Sequence, residues 1–67
     1  MKVEPSTLLR CKRTYQLMNN GLYLVFAHKD EVVAVHHVGR VYVTILNGTK
    51  LFRIPKLMLP VYFEEIK

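Results

Sequence analysis

The stretch that decides the fold class runs from residue 41 to residue 54 and reads VYVTILNGTKLFRI. Both halves are rich in β-branched and aromatic residues, and many of their apolar residues alternate with other residues, as is typical of strands. Between the halves lies Asn47-Gly48, a strong signal for a two-residue hairpin loop because both residues adopt positive φ readily. These residues predict an antiparallel hairpin.

The rest of the chain repeats this pattern of short strands and turns. Residues 22–27 (LYLVFA) and 32–38 (VVAVHHV) are further runs of strand-forming residues. Turn residues bound them, namely Asn20-Gly21, Lys29-Asp30-Glu31 and Gly39-Arg40. Residues 50–54, the second strand of the 41–54 hairpin, and residues 61–66 are predicted strands on either side of a short turn. The chain is therefore predicted to be all-β.

Residues 7–18 fit a strand or a helix. A strand places one apolar set on a single face, Leu9, Cys11, Tyr15 and Leu17, and a turn at Asn20-Gly21 would pair Leu17 with Leu24 and Tyr15 with Phe26. A helix would start after Ser6 as N-cap and would align Leu8, Cys11, Tyr15 and Met18. We favour the strand and keep an N-terminal helix as the alternative.

The last third of the chain has a recognisable order of elements. A hairpin ends at Ile54-Pro55, a single tight turn follows, and the closing strand begins with Val61-Tyr62-Phe63. This order resembles the end of SH3-like small barrels, which implies one barrel of five to six strands over residues 1–67, with residues 1–6 as a flexible arm. No functional residue is carried over, because the acidic loop and the paired aromatics of peptide-binding SH3 domains are absent.

The hairpin loops also predict which side chains share a face, because opposed residues on antiparallel strands point to the same side. Two-residue loops at Gly39-Arg40 and Asn47-Gly48 predict a core of Val32, Ala34, Val38, Val41, Val43, Ile45, Phe52 and Ile54. The outer face would then be apolar as well, and monomers rarely leave such a face uncovered. Either another part of the chain covers it, or it is an interface with a second copy or another protein, formed by Val33, Val35, His37, Leu46 and Leu51.

Charge offers a second lead. The chain has 10 Lys and Arg against 5 Asp and Glu, a net charge of +5. The cations gather in two clusters, and tyrosines lie nearby, a combination that holds phosphates and stacks on bases. We therefore predict a nucleic-acid surface formed by Arg10, Lys12, Arg13, Tyr23, Tyr42, Lys50, Arg53 and Lys56. The alternative is a protein-interaction module or small inhibitor that docks through the apolar outer face.

Catalysis and metal binding are not expected. The one cysteine, Cys11, has no partner at zinc-site spacing, and the adjacent His36 and His37 point to opposite faces of a strand. No acid pair and no glycine-rich phosphate loop is present. The sequence thus predicts a non-enzymatic protein without cofactor or metal. It also predicts a cytoplasmic protein with no membrane contact, because neither a signal peptide nor a spanning segment is evident.

Overall fold

A computed structural model describes residues 1–66, and most of its residues lie in strands. In chain order the elements are β1 (Leu8–Cys11), β2 (Tyr15–Asn19), β3 (Leu22–Ala27), β4 (Val32–Val38), β5 (Tyr42–Asn47), β6 (Lys50–Pro55), the helical turn α1 (Leu59–Tyr62) and β7 (Phe63–Glu65). Five strands form one antiparallel sheet in the order β6-β5-β4-β1-β7, and β2 pairs only with β3. The all-β class is confirmed, but the two sheets are not closed into a barrel.

The predicted hairpin of residues 41–54 is confirmed, with its loop one residue further along. Asn47 pairs with Lys50, so Gly48 and Thr49 form the loop, and Gly48 takes the positive φ of 64° that its first position requires. The pairing therefore differs from the predicted one by two residues. A shift of two keeps every side chain on its face, and the predicted burial of Val43, Ile45, Phe52 and Ile54 is correct.

The predicted faces of β4 are wrong along most of its length. Val38 pairs with Val43 and His37 with Thr44, but Val35 pairs with Ile45, so His36 is an extra residue in the strand. A bulge of one residue moves every side chain beyond it to the opposite face. Val33 and Val35, predicted to lie outside, are each only 2% exposed, whereas Val32 is 55% exposed. Ala34 and Val41, also predicted in the core, lie outside it as well.

Residues 7–18 form two strands and no helix. β1 ends at Cys11, the chain bends over residues 12–14, and β2 begins at Tyr15. The bend includes Arg13, a charged residue with the same strand parity as the apolar set Leu9, Cys11, Tyr15 and Leu17. The predicted pair of Leu17 with Leu24 is confirmed, but a bulge after Tyr15 pairs that residue with Ala27 in place of Phe26.

The core lies between the five-stranded sheet, the base of the β2–β3 hairpin and α1. Its aromatic centre brings Tyr15 within 5.8 Å of Phe52 and Phe26 within 5.2 Å of Phe52, measured between ring centroids. α1 closes one side with the buried Leu59, and its early Pro60 costs no hydrogen bond because the first N–H groups of a helix have no partner. The segment predicted as a flexible arm contacts the body, since the Ser6 N–H donates to the Val35 carbonyl at 2.8 Å and Val3 packs against the core.

Candidate interaction surfaces

The outer face of the five-stranded sheet carries a row of apolar side chains, which we call the apolar row. Leu8 pairs with Ala34, Ala34 with Leu46, and Leu46 with Leu51, so the row crosses β1, β4, β5 and β6. Ala34 and Leu46 in the middle are half-buried, whereas Leu8 and Leu51 at the ends are 52% and 56% exposed. The row is thus a continuous apolar strip on a rigid, hydrogen-bonded platform.

One end of the apolar row adjoins a cationic and aromatic patch. The Arg53 guanidinium lies 5.0 Å from the centre of the Tyr42 ring, a distance at which a cation is attracted to the ring face. Thr44 lies opposite Arg53, and His37 lies opposite Thr44, so these side chains share the outer face. Within residues 1–66, no carboxylate forms a salt bridge with Arg53.

The other end of the apolar row adjoins a compact ion cluster. Arg10 on β1 donates through Nη1 to Asp30 at 2.7 Å and through Nε to Glu64 of β7 at 2.9 Å, and its Nη2 also contacts Glu64. The hydrogen bond and charge of Glu64, together with Asp30, raise the pKa of Arg10 above its ordinary value. Two acids therefore already neutralise Arg10, and its guanidinium connects β1 to β7.

The structure separates the eight residues predicted to hold nucleic acid. Lys12 and Arg13 lie in the bend between β1 and β2, where the Arg13 guanidinium is 5.8 Å from the centre of the Tyr62 ring. Lys50 has the same strand parity as the buried Phe52, so it lies on the other side of β6 from Arg53. Lys56 follows the end of β6, and Tyr23 lies on the β2–β3 hairpin. Only Tyr42 and Arg53 are brought into direct contact.

The predicted interface residues divide in a similar way. Val33 and Val35 belong to the core, so their placement on the outer face is a correction to the prediction. His37, Leu46 and Leu51 do lie on that face, and Leu8 and Ala34 take the places of the two valines. Leu8 could have been found from its β-strand alternation with the buried Leu9, but Ala34 depends on the bulge.

The β2–β3 hairpin carries a second exposed apolar surface, which was not predicted from the sequence. The outer part of the β2–β3 hairpin, Leu17–Leu24, projects from the core, and we call it the hairpin tip. Its large apolar side chains are between 52% and 74% exposed, namely Leu17, Met18, Leu22, Tyr23 and Leu24. The signal was present in the sequence, because residues 14–27 contain no Asp, Glu, Lys or Arg.

The groups able to do chemistry do not converge. Cys11 is fully buried, its thiol donates to the Arg13 carbonyl at 2.9 Å, and burial raises its thiol pKa. The pKa of Glu31 is lowered, chiefly because its carboxylate accepts a hydrogen bond from the His28 N–H. Both His36 and His37 are exposed on β4. Among residues 1–66, no group of three or more His, Cys, Asp or Glu side chains is arranged to hold a metal.

The N-terminal segment covers a small cavity at the edge of the core. The cavity has a volume of about 200 Å³, and Val3, Val38, Val43 and Leu59 form most of its apolar lining. Sites for small organic ligands usually enclose at least about 300 Å³. This cavity is therefore a packing feature next to Val3, and the candidate sites are the two exposed apolar surfaces.

Residues 1–66 include no helix with the length and apolar character needed to cross a membrane. Comparison with known proteins gives no relative: no family model, no curated protein and no solved structure matches this chain.

Proposed function

We propose that this protein is a non-enzymatic protein-interaction module that docks a partner protein on the apolar row. The observation that supports this function is the continuous strip of Leu8, Ala34, Leu46 and Leu51 across four hydrogen-bonded strands. Ordinary outer sheet faces are polar, and an apolar patch with polar residues around it is typical of interaction sites. A preformed platform also lowers the entropy that is lost on binding.

The charges beside the apolar row indicate what the partner presents. Arg53 has an aromatic neighbour in Tyr42, and it has no acidic partner within residues 1–66. Arg10 at the opposite end is already paired with Asp30 and Glu64. A complementary partner therefore carries apolar side chains for the row and a carboxylate at the Arg53 end, which would bind that guanidinium through a charge-assisted hydrogen bond.

A matched pair of variants tests this function. Leu51→Asp places a charge in the row, whereas Leu57→Asp makes the same change at a side chain that is 88% exposed outside it. We expect a partner protein to bind the wild type and Leu57→Asp equally, and to bind Leu51→Asp at least about tenfold more weakly, a loss of about 1.4 kcal/mol. Arg53→Glu should weaken the same partner. A partner that binds Leu51→Asp as tightly as Leu57→Asp would contradict the proposal.

Nucleic-acid binding is the second candidate, supported by the two guanidinium–tyrosine pairs. Arg53 with Tyr42 and Arg13 with Tyr62 each combine a cation with an aromatic ring, the combination on which single-stranded bases stack. Fluorescence anisotropy with a mixed-sequence oligonucleotide at two salt concentrations tests it. We expect binding that weakens steeply with salt and falls in Arg53→Glu more than in Arg40→Glu, which makes the same charge change in a loop. Absence of binding at low salt would rule this candidate out.

Three further predictions belong with the proposed function. The SH3-like order is supported by α1, which follows β6 and leads into β7, and by the pairing of β7 with β1 at the edge of the sheet. A cytoplasmic location is the setting we propose for such a module. The homo-oligomer that the sequence predicts through the outer face is the alternative occupant of the apolar row, and self-association that Leu51→Asp abolishes would favour it over a partner protein.

A further inference from the structure

The hairpin tip is apolar on both of its faces. Leu17 lies opposite Leu24 on one face, and Met18 lies opposite Tyr23 on the other. An ordinary surface hairpin packs one face on the core and turns a polar face to water. The tip therefore exposes more apolar surface than a hairpin needs in order to pack on its own core.

The tip is also preformed. Asn20 and Gly21 have φ values of 53° and 78°, the two positive angles of a type I′ turn, which matches the twist of the flanking strands. Its base is anchored, because the Tyr15 and Phe26 rings lie 5.5 Å apart in the core and the Asn47 side-chain amide donates to the Phe26 carbonyl at 2.9 Å. The turn geometry of the tip is thus fixed by Asn20 and Gly21, and the base of the hairpin is anchored on the core.

β3 is the edge of this hairpin that is open to pairing. Within residues 1–66 it pairs only with β2, so its other edge has no strand beside it. Its sequence, LYLVFA, contains none of the charges or prolines that usually protect an edge. β2 is a poorer template, because Gln16 interrupts its apolar residues. Phe26 is an extra residue in β3, so the regular part of the open edge is residues 22–25.

Charge favours a second copy of this chain over other occupants of the tip. A two-fold interface brings the same surface patch of both copies together, so a chain of net charge +5 resists such contact wherever its cations lie. Residues 14–27 have no charged side chain, so two copies meet there without direct repulsion. The tip has no cation that could bind a nucleic-acid phosphate. Insertion into a bilayer would place Asn19 and Asn20 in the lipid, together with unpaired backbone groups that lipid cannot satisfy.

We propose that two copies of this protein associate by antiparallel pairing of their β3 edges, which joins the two hairpins into one four-stranded sheet. The exposed β3 side chains Leu22, Tyr23 and Leu24 offer on the order of 100 Å² each, or about 300 Å² per copy, against about 800 Å² per partner in a standard stable interface. The dimer is accordingly weak and depends on concentration.

Sedimentation velocity from about 10 µM to about 1 mM protein, a range that spans weak association, tests the proposal against a monomer mass of 7.9 kDa. We expect the wild type to approach twice that mass at the highest concentration. Leu24→Lys and Tyr23→Pro should each raise the dimer dissociation constant at least about tenfold. Leu57→Lys, at the exposed position outside both surfaces, and Leu51→Lys, in the apolar row, should leave the dissociation constant unchanged.

Circular dichroism confirms that each variant is folded before its mass is interpreted, and both disrupting substitutions are at side chains more than half exposed. A monomer mass at every concentration would overturn the proposal. So would a dimer that survives both Leu24→Lys and Tyr23→Pro, or one that Leu57→Lys or Leu51→Lys disrupts as strongly. Loss of partner binding in Leu51→Asp would leave this result unaffected, because the two proposals rest on different surfaces.

Discussion

The bulge at His36 makes a sharp prediction for two neighbouring valines. Val32 and Val33 are the same residue type on the same strand, but Val32 is 55% exposed and Val33 is 2% exposed. Truncation to alanine removes two methyl groups from each, worth about 0.8 kcal/mol apiece when they are buried. A residual cavity at Val33 adds to that loss, so we expect Val33→Ala to lower the free energy of unfolding by about 2 kcal/mol. Val32→Ala should change it by no more than about 0.5 kcal/mol.

Urea denaturation followed by circular dichroism measures the difference. With a slope of about 1 kcal/mol per molar urea for a small domain, Val33→Ala should move the unfolding midpoint by about 2 M and Val32→Ala by less than about 0.5 M. A small domain has a total stability of only a few kcal/mol, so the shift is a large part of the whole. If Val32→Ala proved as costly as Val33→Ala, the bulge and the faces assigned to β4 would be incorrect.

Three further predictions concern single side chains. Because the folded-state pKa of Glu31 lies below its ordinary 4.5, its charge stabilises the fold at neutral pH and that stabilisation is lost as the pH falls through the folded pKa. In thermal melts, Glu31→Gln should therefore lower the melting temperature at pH 7 and leave it unchanged at about pH 2. An equal decrease at both pH values would contradict this role of the Glu31 charge. The buried Cys11 thiol, with its raised pKa, should react with a thiol reagent only as fast as the protein unfolds, so rapid labelling without urea would show that it is accessible. A Cβ on Gly39 would lie 2.9 Å from the Tyr42 carbonyl oxygen, so Gly39→Ala should cost about 1–3 kcal/mol in urea denaturation, whereas a cost similar to that of Arg40→Ala next to it would argue against this contact.

The strand pattern and the turn residues were enough to predict the fold class and the β5–β6 hairpin. The misplaced loop at Asn47-Gly48 did no harm to the predicted faces, because moving it by one residue changes the pairing by two. The bulge in β4, by contrast, changed which side chains face the core. Residues 32–38, VVAVHHV, are apolar at both strand parities, so the sequence could not indicate which set of valines faces the core. That choice depends on pairing with β5 and β1 across the sheet.

The candidate sites were predictable only in part. Leu46 and Leu51 were placed on the outer face correctly, since both lie on strands without a bulge. The basic residues could not be located, because neutralisation of Arg10 depends on Glu64, which is 54 residues away along the chain. Local pattern contains no information on such a contact. The β2–β3 pairing was predicted, but the exposure of the hairpin tip was not. Exposure depends on how the hairpin packs against the rest of the fold, which its own residues do not indicate.

The pairing of β1 has a consequence for how the chain folds. β1 lies between β4 and β7 in the sheet, and Arg10 joins it to Glu64 at a sequence separation of 54 residues. Such distant contacts must close a large loop before they contribute any stability, which slows folding. During synthesis, β1 would keep one edge unpaired until β7 has left the ribosome, while β5 and β6 need only a short loop to meet. Until that pairing forms, β1 is an edge strand with unpaired backbone groups, and such an edge can pair with strands of other chains.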